Sequence, residues 1–412
     1  MSKPRVLLLM PTTTYRAEDF LRAASEVGAE VVVGSDRRQT LEDAVPGATL
    51  TLDFQDIEAS AGKVADFAKT HQLVCVVGVE DETTELAAEI SRLLGLPHNS
   101  VESVRAARDK HKSRELLERA GVRTPHFGRF SAGEDPISVA GKVQFPCVVK
   151  PLFLSASRGV MRCDNPGDLK RAWERLGRIL KEPEVRRKGG EAADWILVEA
   201  YIPGGEVAVE GLLIHGELKI LAQFDKPDPL EGPFFEETIY VTPSRLPEET
   251  QREVLRTTAL AAAALGLCEG PIHAELRVNE WGAWPLEVAP RSIGGLCSRA
   301  LRFGAGISLE ALTLRHALGL EVGSLVREKK AAGVMMIPIP RSGRLTRFAG
   351  IDAAISVPGV EAVAQSLALG QEAIPLPEGS RYLGFIFARG EEPAFVEAAL
   401  RAAHRRLQIV IE

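Results

Sequence analysis

The stretch WPLEVAPRSIGG, Trp284 to Gly295, reads as a strand that carries a carboxylate, Glu287, between Leu286 and Val288, and then runs into Arg291 and a Gly294–Gly295 pair. Just before it, IHAELRVNEWGAW puts His273, Glu275 and Arg277 at alternate positions, and so on one face of a preceding strand. Asn279 to Gly282 supply turn residues between the two. A hairpin about Trp281 sets Glu275 directly across from Glu287, with Cβ atoms roughly 5 Å apart, where two bare carboxylates repel. A positive group held between them removes the repulsion. Two hard oxygen ligands at that separation suit Mg2+, which keeps waters and completes its shell with substrate phosphates. A structural ion pair of Glu287 with Arg291 or Arg277 answers equally well, and the strand alone does not choose. His273 suits a hydrogen-bonded core or substrate-facing role better than a metal, because imidazole is a poor match for Mg2+.

Three features further out ask for a polyphosphate. Lys150 ends the apolar strand FPCVVKP, where a buried ammonium is costly without an anion, and the following Ser155 to Gly159 run can lay backbone N–H groups on phosphates. Lys112 lies on the helix DKHKSRELLERAG ahead of it. Glu199 to Ile202, then Glu206 after a Pro-Gly-Gly turn, offer carboxylates and backbone groups of the kind an adenosine needs. Taken singly, each has an ordinary reading: a strand terminus, a solvated helix lysine, a tight turn at the glycines.

The length of the chain suggests two or three domains. Its 412 residues exceed one ordinary core, and 45% hydrophobic with 26% charged residues is a globular composition. A net charge of −6 without a basic, aromatic-interleaved cluster argues against nucleic acid as the main partner. No apolar run reaches the roughly 18 residues of a membrane helix, and VLLLM is too short for a signal segment, so a cytoplasmic protein that does not engage a membrane is expected. Five cysteines without a CxxC pair read as reduced thiols.

RVLLLM, EVVVG and LVCVVGV alternate with helical spacing, which predicts an open parallel α/β domain over residues 1–108. The first strand leads into PTTTY with no GxGxxG, so a dinucleotide-binding oxidoreductase loses its main support. A capping box predicts a helix start at Asn99 with Glu102, and Gly121 ends the next helix. KEPEVRRKGGEAAD reads as a solvated surface insertion, and WILVEAYIPGGEVAVEGLLIHGELKILAQFD as several antiparallel strands. ETQREVLRTTALAAAALGL is a long helix, and EEPAFVEAALRAAHRRL a closing one. The map is completed by an α+β domain over 109–330 and a small C-terminal subdomain over 331–412.

In this order and spacing, the features resemble the ATP-grasp superfamily from about Asp109 to Leu320. The resemblance implies a fold of two α+β subdomains, with a lid over about 125–205. It also implies that ATP is bound by Lys112 and Lys150 on the phosphates, by Ser155, Ser157 and Gly159 in the closing loop, by Glu199, Ala200 and Ile202 at adenine, by Glu206 at ribose, and by Lys226. Glu275 and Glu287 would hold Mg2+, with Mn2+ an acceptable substitute. Many relatives have Glu-x-Asn where this chain has Glu287-Val288-Ala289, which leaves the number of metal ions open.

Arg291, the segment FDKPDPLEGPFFEETIYVTPSRLP and the C-terminal LGFIFARGEEPAFVEAALRAAHRRL resemble the dipeptide-forming L-amino-acid ligases. This implies a carboxylate–amine ligase acting through an acyl phosphate, with carboxylate and amine substrates that are amino acids and a homodimer as the default assembly. Arg291 would face the acyl phosphate, and Gly294 and Gly295 would let backbone approach the substrate. A carboxylating enzyme similar to biotin carboxylase and an inactive nucleotide-binding regulatory subunit are the competing expectations.

Overall fold

A computed structural model describes residues 3–39 and 47–412. Strands β1 (Arg5–Leu9), β2 (Glu30–Ser35), β3 (Thr49–Thr51) and β4 (Cys75–Gly78) form a parallel sheet in the order β3-β2-β1-β4. The continuous apolar run of β1 follows from burial on both faces. Val6 and Leu8 pack with Phe20 and Leu314, while Leu7 and Leu9 pack with Val64 and Leu86.

A second, antiparallel sheet is built from β5 (Phe127–Ser131), β6 (Cys147–Pro151), β7 (Met161–Cys163) and β8 (Trp195–Ala200), ordered β5-β8-β6-β7. The amphipathic helix Pro166–Lys181 covers it with Leu169, Trp173, Leu176 and Ile179. KEPEVRRKGG, expected as a solvated loop, contains the helix Pro183–Gly189, because Val185 is drawn into this core.

The largest sheet begins with β9 (Gly205–Ile214), β10 (Glu217–Lys226), β11 (Ile239–Thr242), β12 (Gly270–Asn279) and β13 (Gly282–Ala289). The chain continues through β14 (Ala331–Ile337), β15 (Gly343–Ala349), β16 (Val360–Gln365), β17 (Glu372–Ala373), β18 (Gly384–Gly390) and β19 (Gln408–Ile411). The eight-stranded order is β13-β12-β9-β10-β11-β14-β18-β16, so the sheet runs unbroken across the boundary expected at residue 330. The residues beyond 330 are therefore joined to the central domain by strand pairing, and only β15, β17 and β19 form a small sheet of their own.

Two element ends differ from expectation. The helix expected from Asn99 runs Val101–Arg108 with Ser100 as its cap, while the Asn99 side chain accepts from the Cys268 and Glu269 N–H groups. The closing helix stops at His404, and the chain returns as β19. All five cysteines are unpaired, and Cys268 alone is exposed. No helix among the described residues is long and apolar enough to cross a membrane.

Candidate active site

One face of four adjacent strands carries the charged groups. Register places Lys226 of β10 across from Glu206 of β9, and Glu206 across from Arg277 of β12. One step along, Glu275 lies between Ala208 and Glu287, and a further step sets His273 between Glu210 and Ala289. Near the turn, Arg277 opposes Trp284 and Leu276 opposes Pro285. A bulge then skips Leu286 and brings Glu287 opposite Glu275. A bulge leaves ladder groups unpaired. Here Arg114 takes them, its Nη1 donating to Pro285 O at 2.9 Å and its Nη2 to Leu286 O at 3.1 Å.

The two facing glutamates hold different cations. Glu275 lies 3.1 Å from Lys226 Nζ and 3.3 Å from His273 Nε2, and Tyr240 Oη donates to it at 3.3 Å. Glu287 lies 3.2 Å from Lys110 Nζ, so the ion pair with Arg291 or Arg277 that the sequence left open does not form. Glu206, Glu237 and Glu275 bring carboxylate oxygens within 4.8 Å of one another, with Lys226 bonded to all three. The three carboxylates are a donor set of the kind that fits a hard divalent cation, with Arg277 on Glu206 and His273 on Glu275 sharing their charge with Lys226. Burial and the Glu275 charge push the Glu237 carboxyl up to about 7, against the pull of Lys226. Burial would lower the His273 imidazolium, yet Glu210 and Glu275 together raise it to about 9. Glu210 is fully buried and also accepts the Ile293 N–H at 3.1 Å, so it fixes the ring against the chain that follows the hairpin.

Glu206, Glu237, His273, Glu275 and Glu287 open on one cavity of about 590 Å³ between the lid sheet, the large sheet and the N-terminal domain. At the lid end Lys150 is paired with Glu199, whose other oxygen accepts Arg114 Nε at 2.6 Å. Burial alone would raise the Glu199 carboxyl, but Arg114 and Lys150 hold it at about 2. Burial depresses the Lys150 ammonium, and Glu199 offsets part of that. Ala200, Tyr201 and Ile202 line the cavity beside Glu206.

The loop after β6 carries two consecutive left-handed residues, Ala156 at φ 55° and Ser157 at φ 54°. Such conformations are costly without glycine and mark ligand-clamping loops. Ser155 and Ser157 face the cavity, whereas the Gly159 N–H is turned away to Pro377 O at 2.9 Å.

Lys112 is a correction. Its Nζ reaches Glu115 at 3.2 Å on the exposed side of the helix, outside the cavity. Lys110 faces the cavity instead, bonded to Leu154 O at 2.9 Å as well as to Glu287. Residues two apart on a helix point in nearly opposite directions, so only one of the pair can serve. Lys226 lies behind the carboxylate cluster and is buried.

At the opposite end Arg291 lines the cavity, but Nε and Nη2 both bind Asp81 at 2.7 Å and Nη1 donates to Ser292 O at 3.0 Å. The guanidinium expected to face the acyl phosphate is thus clamped to the N-terminal domain, with two of its five N–H groups left over. A second buried clamp, Arg16, reaches Ser292 Oγ at 2.6 Å and Val79 O at 3.0 Å. A Cβ on Gly294 would meet nothing closer than Arg291 Nη1 at 3.9 Å, so this position is open. Gly295 has φ 61° and would place a Cβ 3.0 Å from Phe385, so its turn requires glycine.

Sequence reasoning missed Lys110, Arg114, Glu210, Glu237 and Asp81. For Glu210 a signal was present, since GEVAVEG spaces it like Glu206 on the same face of β9. Asp81 and Arg114 become visible only through contacts far along the chain.

Comparison with known proteins finds likenesses along most of the chain. Residues 143–300 match an ATP-grasp domain, 21–98 an ATP-grasp N-terminal domain, and 335–412 the L-amino acid ligase C-terminal domain 2. An uncharacterized protein of Sinorhizobium fredii is 24% identical over 86% of this chain and 72% of its own length. Alanine–anticapsin ligase of Bacillus subtilis is 28% identical over 46% of this chain, a match that spans 42% of that enzyme. Among solved structures, an L-amino acid ligase from Bacillus licheniformis superposes with a TM-score of 0.82 at 26% identity, covering 100% of both chains. A phosphoribosylglycinamide synthetase from Anaerococcus prevotii, at 14% identity and a TM-score of 0.71, shares the fold.

Proposed function

For a chain that belongs to the ATP-grasp superfamily and carries the L-amino acid ligase C-terminal domain, we propose an ATP-dependent ligase that joins the carboxylate of one amino acid to the amine of another. The observation that carries this reading is the convergence on one cavity of Lys110, Lys150, the Ser155–Ser157 loop and the facing pair Glu275 and Glu287.

In the proposed site Lys110 and Lys150 meet the ATP phosphates, and the Ser155 and Ser157 segment closes over them. The backbone from Ala200 to Ile202 borders adenine, with Glu199 holding Lys150 in place from behind. Glu206 receives ribose, and Lys226 neutralises the carboxylates beneath. Glu275 and Glu287, with Glu237 beside them, would hold Mg2+, which supplies charge neutralisation to the transferring phosphoryl group.

A substrate carboxylate oxygen attacks the γ-phosphorus as the bridging oxygen leaves with ADP. The amine nitrogen then attacks the acyl carbon, phosphate departs and the nitrogen loses a proton to solvent. Such transfers ask the protein mainly for positioning and charge. The two spare N–H groups of Arg291 are the donors this end of the cavity offers to the charge that develops, and Gly294 leaves room for the substrate. The division into units near residues 108 and 330, a homodimer and a cytoplasmic setting complete the proposal.

The test is ADP release over a matrix of amino-acid pairs with Mg–ATP. Turnover that requires two organic substrates is expected. Turnover with bicarbonate alone would support a carboxylating enzyme instead, and none with any pair would contradict the ligase.

A further inference from the structure

The cavity holds one cation whose purpose the site described so far does not explain. Its other arginines, Arg108, Arg158, Arg277 and Arg291, each hold a carboxylate, and so do its lysines. Arg381 lines the same cavity, is exposed, and has no ion-pair partner among the described residues. Its Nε donates to Tyr15 Oη at 3.3 Å, and its guanidinium lies 6.0 Å from the centre of that ring.

The chain around Arg381 fixes where this free charge stands. On one side, Pro377 O accepts the Gly159 N–H at 2.9 Å and Glu378 O accepts Arg158 Nε at 2.7 Å, while the Glu378 carboxylate holds Arg175. These bonds tie the segment to the phosphate-covering loop. On the other side, Tyr382 packs edge-on against Phe385 at 6.0 Å between ring centres, and Tyr15 meets the same ring at 5.7 Å. Phe385 is the ring that a Cβ on Gly295 would touch. Arg381 therefore stands on a tethered span between the lid and the Arg291–Gly295 segment, held from the N-terminal domain by Tyr15.

We infer that Arg381 binds the carboxylate of the amine-donating substrate, so that this substrate is an α-amino acid or another amine that bears a carboxylate. The inference rests on the ligase reading above. A planar guanidinium fork matches a carboxylate with two parallel hydrogen bonds, and the phosphates already have Lys110 and Lys150 at the other end. The carboxylate being activated must lie against those phosphates. The amine that attacks it approaches from the far side, which leaves its own carboxylate toward Arg381.

The experiment uses the full chain with Mg–ATP and one acyl donor, and compares two nucleophiles. One is the partner amino acid. The other is hydroxylamine, which traps the acyl phosphate as a hydroxamate and carries no carboxylate. In Arg381→Gln, dipeptide formation should fall at least about tenfold more than hydroxamate formation, mainly through KM for the amine donor, with Arg381→Lys intermediate. The wild-type protein should also prefer the amino acid over its amide by a similar factor, and Arg381→Gln should lose that preference. Equal losses with both nucleophiles, or a wild-type protein indifferent to amidation of the amine donor, would overturn the assignment. A wild-type protein that forms neither product would overturn the ligase reading beneath it.

Discussion

The two ends of the cavity are built on different plans. At the lid end every cation is already seated on a carboxylate of the protein. Lys150 and Arg114 share the buried Glu199, and Lys226 sits among Glu206, Glu237 and Glu275. At the substrate end, Arg291 and Arg16 are spent on joining two domains, and Arg381 stands in the open with a tyrosine hydroxyl. Where a common, highly charged ligand is expected, charge is fixed in advance, so little reorganisation remains when it binds. Where the amine substrate is proposed to bind, one guanidinium is left for the ligand to complete.

Breaking the fixed end should produce the largest effect. Glu199→Gln strands two buried cations, and stability should drop by about 3–5 kcal/mol in denaturant titration. The folded Glu199 carboxyl, held at about 2, lies below the roughly 4.3 of an unfolded glutamate. Its contribution is therefore complete above the unfolded value and is lost as pH falls through the folded one. Glu199→Gln should flatten the acid limb of the stability curve between these values. A variant as stable as wild type would show that the lid end is not pre-paired.

Glu287→Gln separates function from stability. Glu287 is 29% exposed and, among the described residues, forms its ion pair with Lys110, so stability without Mg2+ should shift by no more than about 1 kcal/mol. ADP release should fall at least about a hundredfold, because the lost charge is one that would bind metal. Substantial remaining turnover would remove Glu287 from the metal site.

The smallest effect sharpens the helix assignment. Lys110→Met should raise KM for ATP about tenfold through loss of a charge-assisted contact, whereas Lys112→Met should change it by less than about twofold. The reverse ranking would restore Lys112 to the site.

Legibility in the sequence followed the range of the interaction. Glu275 opposite Glu287 was readable because a hairpin turn and a two-residue period settle it locally. The bulge at Leu286 was not, since it depends on Arg114 supplying donors from a helix 171 residues away. Lys110 and Lys112 were confused because DKHKSRELLER is polar nearly all round, and a helix without a clear apolar stripe does not announce its inner face. The fold class was visible in alternating strands and helices. The continuation of the large sheet past residue 330 was not, because β11 and β14 are joined only by pairing across a long connection. Arg291, expected to face the acyl phosphate, lines the cavity, but its partner Asp81 lies 210 residues earlier, and no local pattern links them.

The central claim is that the carboxylate substrate is activated by phosphorylation in this cavity before the amine attacks. An acyl donor labelled with oxygen-18 in its carboxylate, turned over to dipeptide with unlabelled ATP and water, tests it directly by mass spectrometry of the inorganic phosphate. The proposed route breaks the bond between the acyl carbon and one labelled oxygen, so each phosphate released should carry one oxygen-18. Phosphate free of label in a reaction that still forms dipeptide would contradict it.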